Sequence, residues 1–246
     1  MILLALALQT AVTPAITDSA DARMQRCVDL AIGDAAAAQT EASRWVLAGG
    51  GFRAQQCLGR AHTGLKRYDA AATAFAESAR GAADAKDARA ASFWAQAGNA
   101  WLAAGDAAKA KAALDSALTG NSLSGLALGE AHLDRARALV AAGDTAAARK
   151  DIDAALVDAG DDPLAWLLSA TLARRMGDLP RARTDIAKAL ERADDDASVQ
   201  LEAGNIAALS GDEAGARAGW TRAAAIGQGA VAASAKAALA QFEAGK

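Results

Sequence analysis

The residues most able to carry chemistry in this 246-residue sequence are its two cysteines, Cys27 and Cys57. Two thiols 30 positions apart do not make a metal site, because such sites usually need four ligands in closely spaced pairs. In a secreted chain the two cysteines would favour a disulfide. The alternative is a pair of buried thiols that act as small apolar side chains. Arg26 adjoins Cys27, but no neighbouring group completes an activated nucleophile.

The two histidines, His62 and His132, are 70 residues apart. No nearby cysteine or carboxylate completes a ligand set, so both are interpreted as packing side chains. The acidic runs at 161–162 and 194–196 are interpreted as helix caps and solvated turns. A glycine-rich phosphate loop and a G-x-S-x-G elbow are both missing from the sequence. We therefore predict no enzyme activity, no metal site and no cofactor.

The composition indicates an all-α protein. Alanine, the best helix former, supplies 75 residues, whereas aromatic residues make up only 4% of the chain. Because β-sheets favour β-branched and aromatic side chains, a sandwich or barrel is strongly disfavoured. The apolar fraction of 53% argues against a disordered chain. A net charge of −3 leaves no electrostatic footprint for nucleic acid.

Residues 1–17 form an apolar segment without a charged side chain. The run from Ile2 to Leu8, followed by Pro14, is typical of the apolar region of a secretory signal. The basic residues that normally precede such a region are missing, so a buried first helix and an uncleaved anchor stay as alternatives. A cleaved signal predicts a periplasmic or secreted protein, with no membrane span in the mature chain. A cytoplasmic location is the alternative.

A Gly-Asp pair recurs along the chain with a period near 34 residues. Glycine tolerates the left-handed conformation that ends a helix, and aspartate caps the next helix and complements its dipole. Each pair therefore predicts a tight corner between two helices, and Lys66-Arg67 stands where one pair is missing. The pairs that follow this period are at 33–34, 105–106, 143–144, 177–178 and 211–212.

Alignment on these corners brings small and large residues to fixed positions. Alanine stands five residues after the corner glycine, a small residue seven before it, and in most units a large residue nine after it. Small residues let two helices approach closely, and the large ones fill the space between hairpins. The small residues before the corner are Gly59, Gly98, Ala136, Ala170 and Gly204, and the large ones after it are Phe75, Leu114, Ile152, Ile186 and Trp220.

Segment 94–118 resembles a tetratricopeptide repeat. Its residues at the signature spacings are Trp94, Gly98, Trp101, Gly105, Ala110, Leu114 and Ala117. Four further segments match in the same register, at 55–79, 132–156, 166–190 and 200–224. Arg135 departs from the pattern, because an apolar residue is usual at its position. The resemblance implies a right-handed α-solenoid of helix–turn–helix repeats.

On this resemblance the chain divides into four parts. After the array, Val231, Ala235, Leu239 and Phe242 lie on one helical face, which suits a helix that covers the last hairpin. The predicted parts are an apolar N-terminal segment or signal at 1–17, a degenerate first hairpin at 18–51, five repeats at 52–228 and a capping helix at 229–246.

The resemblance also implies where a partner would bind, because the first helices of such hairpins usually line a concave groove. Residues ten, six and three positions before each corner would face inward. Their arginine and asparagine side chains are able to hold a backbone or a carboxylate. The predicted groove residues are Arg53, Gln56, Arg60, Asn99, Leu133, Arg137, Leu167, Thr171, Arg174, Leu201 and Asn205.

Two hypotheses of function follow. The first is a non-catalytic scaffold in the cell envelope that binds a partner protein or peptide in the groove. The second is a structural subunit that self-associates as a homo-oligomer, or that joins an envelope complex through its ends. The inward face is predicted to be polar and basic at one end and apolar at the other, although the whole chain is slightly acidic.

Overall fold

The computed structural model describes residues 19–244, and every regular element in that part is an α-helix. The predicted signal segment at 1–17 lies outside the described residues. In the described part no helix is both long and apolar enough to cross a membrane. The helices are α1 (Ala20–Gly33), α2 (Ala35–Leu47), α3 (Gly51–Gly64), α4 (Tyr68–Asp84), α5 (Ala90–Ala104), α6 (Ala107–Leu118), α7 (Gly125–Ala141), α8 (Thr145–Asp158), α9 (Pro163–Arg175), α10 (Leu179–Arg192), α11 (Ala197–Leu209), α12 (Glu213–Ile226) and α13 (Gly229–Ala244).

The helices form a solenoid of six hairpins, α1–α2 to α11–α12, followed by α13. Each helix packs against the next one in the chain, and first helices of successive hairpins also touch, such as α5 and α7. Short helices are marginal alone in water, so stacking between hairpins supplies most of the stability. The structure thus confirms the all-α solenoid that the repeats predict.

Aspartate caps open the second helix at the last four corners. Each carboxylate accepts a hydrogen bond of 2.9–3.1 Å from the backbone N–H three residues later. The preceding glycines adopt φ angles of 78–84°, in the region that side chains disfavour, so glycine is required there. The four corners are Gly105-Asp106, Gly143-Asp144, Gly177-Asp178 and Gly211-Asp212.

The first two corners are built differently. Gly33 ends α1 without a left-handed φ, although Asp34 still caps α2 through the N–H groups of Ala36 and Ala37. At the next corner Lys66 adopts the left-handed conformation, with φ of 56°, and Arg67 precedes α4 without a side-chain cap. The repeat is therefore least regular at its N-terminal end.

Close contact between the two helices of a hairpin explains the glycines seven residues before the corner. A Cβ atom at Gly98 would lie 2.4 Å from the Leu114 side chain, which is impossible without displacement. At Gly204 it would lie 2.6 Å from Trp220. The alanines five residues after the corner are all fully buried; they are Ala38, Ala71, Ala110, Ala148, Ala182 and Ala216.

A disulfide between Cys27 and Cys57 joins α1 to α3, with the two Cα atoms 5.8 Å apart. The two half-cystines are themselves the centre of the N-terminal core, which also contains Ala42, Trp45 and Ala54. Trp45 is only 5% exposed. The N-terminal hairpin therefore depends on a small core and one covalent link.

Helix α13 covers the last hairpin, against both α12 and α11. Ala235 is fully buried, and the Phe242 ring meets the edge of Trp220 with 5.6 Å between ring centroids. An array of stacked repeats needs such a cap, because its last hairpin would otherwise expose an apolar face.

Candidate partner-binding groove

A groove of about 700 Å³ runs along the first helices of the first five hairpins. Helices α1, α3, α5, α7 and α9 all contribute side chains to it. Because these helices stack side by side, residues at the same distance from their corners form one surface. The groove is lined by Val28 and Ile32 at one end and by Leu164 at the other.

The structure brings only part of the predicted residue set into this groove. Thr171 lines a smaller pocket of about 170 Å³ between α7 and α9, which Arg137 also lines. Arg174 and Asn205 line a separate pocket beside α13. The predicted residues that line the groove are Arg60, Asn99, Leu133 and Arg137. Those that line none of these three pockets are Arg53, Gln56, Leu167 and Leu201.

Several predicted residues have partners inside the protein. Gln56 and Leu133 are only 9% and 3% exposed, so they offer little surface to another molecule. Arg53 donates a hydrogen bond of 2.5 Å from Nη1 to Asp21 Oδ1. Leu167 packs against the core around α9 and α11.

At the C-terminal end of the array, the predicted groove residues Arg174 and Asn205 bind Glu202 within the protein. Arg174 Nε donates to Glu202 Oε1 at 2.6 Å, and the Glu202 side chain is buried. The Asn205 amide donates to Glu202 at 3.3 Å and accepts from Trp220 Nε1 at 2.9 Å. These groups therefore hold α9, α11 and α12 together.

The groove contains acidic residues at positions other than the ten, six and three before each corner that were predicted to face inward. The prediction that this face has no acidic character was therefore wrong. Glu130, Asp134 and Asp162 all line it. Asp134 accepts hydrogen bonds from Asn99 Nδ2 at 2.8 Å and from Arg137 Nη1 at 2.9 Å. The sequence contained a signal for Asp134, because this residue stands nine residues before its corner at Gly143, as Glu202 does before the corner at Gly211.

Arg60 is the groove residue with an unmet hydrogen-bonding need. Its Nε atom is buried and has no acceptor. Within residues 19–244 its guanidinium makes no hydrogen bond or ion pair. Because the Arg60 side chain is only partly buried, Nη1 and Nη2 are the atoms open to an oxygen supplied from the groove, whereas the buried Nε is closed to another molecule.

A buried ionic cluster accounts for Arg135, the residue that departs from the repeat pattern. Its Nε and Nη2 atoms each donate to the Asp151 carboxylate at 2.7 Å, and Nη1 donates to Asp115 Oδ1 at 3.1 Å. The hydrogen bond to Asp151 raises the pKa of the Arg135 guanidinium. Burial acts to raise the pKa of Asp115, but hydrogen bonds from Lys111 and Arg135 lower it overall.

The histidines lie within the packing of the hairpins. His132 Nδ1 is 3.1 Å from Asp151 Oδ1, so it belongs to the same ionic cluster. Burial, and then the charge of Arg67, lower the pKa of His62. In the described part of the chain, no group of three or more His, Cys, Asp or Glu residues is placed to hold a metal ion.

A sequence profile of the tetratricopeptide repeat matches residues 129–172, which cover most of α7, all of α8 and most of α9. No curated protein is similar enough in sequence to match the chain.

Three solved structures show the same architecture. PilF of Pseudomonas aeruginosa is 14% identical, with a TM-score of 0.72 over 93% of this chain and 100% of that one. PilW, described as a widely conserved type IV pilus biogenesis factor, is 18% identical, with a TM-score of 0.70 over 84% and 92%. YrrB, described as a TPR protein with an unusual peptide-binding site, is 18% identical, with a TM-score of 0.56 over 75% and 91%.

At these identities the likeness to the three structures shows the fold alone. The repeat profile covers the corner at Gly143-Asp144 and the hairpin around it. The chain therefore carries a tetratricopeptide repeat at residues 129–172, within an array of stacked helical hairpins that has the tetratricopeptide fold.

Proposed function

We propose that this protein is a non-catalytic scaffold that binds a segment of a partner protein in the groove along its first helices. The observation that carries the proposal is Arg60, a partly exposed groove arginine whose guanidinium has no acceptor within the described residues. Nearby, the groove offers apolar surface from Val28 and Ile32, and Ile32 is 84% exposed. An extended segment would supply backbone carbonyls or carboxylates to the arginine and apolar side chains to this wall.

We also propose that the protein works in the cell envelope, in the periplasm or outside the cell. The Cys27–Cys57 disulfide supports this location, because structural disulfides persist in oxidising compartments. The apolar composition of residues 1–17 agrees with export. The fold likeness to a type IV pilus biogenesis factor is a further, weaker support.

Alanine at three groove positions is expected to release the partner. Arg60→Ala, Asn99→Ala and Arg137→Ala together remove one polar side chain from the groove on each of three successive first helices. The measurement is affinity capture of the tagged chain from its native cells, with each recovered protein quantified. We expect one recurrent partner to fall at least about tenfold in the triple variant, because each lost charged hydrogen bond is worth about 1.5–3 kcal/mol.

The matched control is a triple variant of exposed cations outside the groove, Lys150→Ala, Arg183→Ala and Lys236→Ala. It should retain the partner, so that a general loss of positive charge is distinguished from a loss of the groove. A partner retained at full strength by the groove variant would contradict the proposal.

A subunit that assembles through its ends is the second candidate. Leu47, at the end of α2, is 88% exposed on the hairpin that begins the described array. The same capture distinguishes the two candidates. The absence of any recurrent partner, with sedimentation that depends on protein concentration, would favour self-assembly over the scaffold.

A further inference from the structure

At two joints, first helices of successive hairpins are tied together at the same register, and at a third joint an ion pair connects them at a different register. The residue six positions before one corner is linked to the residue nine positions before the next corner. Between α1 and α3 this link is the Cys27–Cys57 disulfide, and between α5 and α7 it is the 2.8 Å hydrogen bond from Asn99 to Asp134. Between α9 and α11 the residue nine before the corner is Glu202, which accepts from Arg174.

Two joints in the described array have no hydrogen bond or ion pair between their first helices. In both, the residue six before the corner is an arginine. The first joint has Arg60 on α3 and Gln96 on α5, and Gln96 donates instead to Ser92 on its own helix. The second has Arg137 on α7 and Leu168 on α9, and Arg137 binds Asp134 on its own helix.

The second joint holds an open apolar pocket of about 170 Å³. Val140, Ile152 and Leu168 form its walls, where the neighbouring joint between α9 and α11 has Arg174 and Glu202 in place of Val140 and Leu168. The missing polar bridge is therefore the reason that the pocket is open.

Positive groups stand around this pocket without acids among its described lining residues. Arg137 and Arg175 both line it, and Arg175 is exposed and makes no ion pair within residues 19–244. Thr171 adds a hydroxyl group to the lining of the pocket. Arg137 is already paired with Asp134, so the uncompensated positive charge at the opening comes from Arg175. That charge is complementary to an anion, and the interior of the pocket to an apolar group.

We propose that this pocket binds one large apolar side chain of the partner segment, and that Arg175, beside the paired Arg137, binds an acidic side chain next to it. The inference rests on the proposed scaffold function and names the partner chemistry at one place in its groove. A pocket of this volume admits one side chain of about the size of leucine. The planar guanidinium groups suit a carboxylate, because each is able to donate two parallel hydrogen bonds to it.

The test uses the full chain with labelled methyl groups and a peptide with blocked ends, Ser-Gly-Glu-Leu-Glu-Gly-Ser. We expect saturable NMR shifts of the Val140, Ile152 and Leu168 methyl groups. Peptides with alanine in place of leucine, or with lysine in place of both glutamates, should bind about tenfold more weakly. Blocked ends exclude a terminal carboxylate as the bound group. Shifts that do not saturate, equal binding of the three peptides, or shifts elsewhere only, would overturn the proposal.

Arg175→Glu is the decisive variant, because this exposed side chain makes no hydrogen bond or ion pair within residues 19–244 that the change would break. It should reverse the preference between the glutamate and lysine peptides, whereas Arg183→Glu on α10 should not. Leu168→Glu restores the acid that stands nine before the corner in neighbouring hairpins, so it should engage Arg137 and close the pocket. Unchanged preference in Arg175→Glu would overturn this inference, while loss of the captured partner in the Arg60, Asn99 and Arg137 variant would still support the scaffold function.

Discussion

Replacing both Cys27 and Cys57 with alanine is expected to unfold the N-terminal hairpin while the rest of the array stays folded. The disulfide closes a loop of 30 residues, and a link of that length stabilises a folded chain by about 3.5 kcal/mol in the chain-entropy treatment. Apart from the two half-cystines, the buried residues of this local core are Ala42, Trp45 and Ala54. The N-terminal hairpin therefore has little other packing to replace the lost link. Repeats interact only with their neighbours, so the loss should stay local.

Hydrogen exchange measured by mass spectrometry checks this expectation. Amides in α1 and α2 should lose most of their protection in the double variant, while those in α9 to α12 should be unchanged. The unmodified protein with its disulfide reduced should behave in the same way, which excludes an effect of the alanines themselves. Equal protection of α1 in the variant and the oxidised protein would contradict the account.

Asp151→Ala is expected to destabilise the central hairpins by about 3 kcal/mol, because it leaves a half-buried arginine without its main partner. Arg135 makes two hydrogen bonds of 2.7 Å to this carboxylate, and Asp151 is 5% exposed. The Arg135 side chain keeps 25% exposure and its bond to Asp115, so the cost should lie at the lower end of the range for buried pairs. Urea unfolding measures the change in stability.

The matched control removes both charges. In the pair Arg135→Met with Asp151→Leu no buried charge is left alone, and the polar partners are replaced by apolar groups of similar volume. We expect this double variant to be more stable than Asp151→Ala, because an apolar replacement of a buried pair is often close to neutral. A double variant that is less stable than the single one would show that the ionic cluster itself, rather than the stranded arginine, determines stability.

The fold was largely predictable because its determinants are local in sequence. Gly143-Asp144 sets a corner through one left-handed φ and one capping bond, both of which depend on residue type alone. Gly98 and Leu114 predict each other, since a side chain at one position requires a gap at the other. The first corner was harder to predict, because Gly33 ends its helix without the left-handed conformation.

The groove was predictable only in part. Position relative to the corner predicted that Arg60 and Arg137 face inward, and both side chains line the groove of about 700 Å³. It did not indicate which polar residues would bind each other, because such bonds join helices about one repeat apart in the sequence. Asp134 neutralises the centre of the groove through Asn99 and Arg137. Gln56 stands ten residues before its corner at Lys66, a position predicted to face inward. Its side chain is nevertheless buried, which the spacing alone does not reveal.

Site-specific photocrosslinking shows whether a partner segment lies along the first helices. A benzophenone side chain in place of Ala103 on α5 would stand at the groove, whereas one in place of Ala112 on α6 would stand on the exposed face of a second helix. Both alanines are exposed, so neither change disturbs the core. Irradiation is carried out in the native cells, with the tagged chain recovered afterwards.

If a partner segment lies in the groove, position 103 yields a discrete crosslinked product and position 112 yields none. The same product should disappear when Arg60, Asn99 and Arg137 are alanine in the crosslinking chain. A product from position 112 alone, or from neither position, would contradict a partner in the groove.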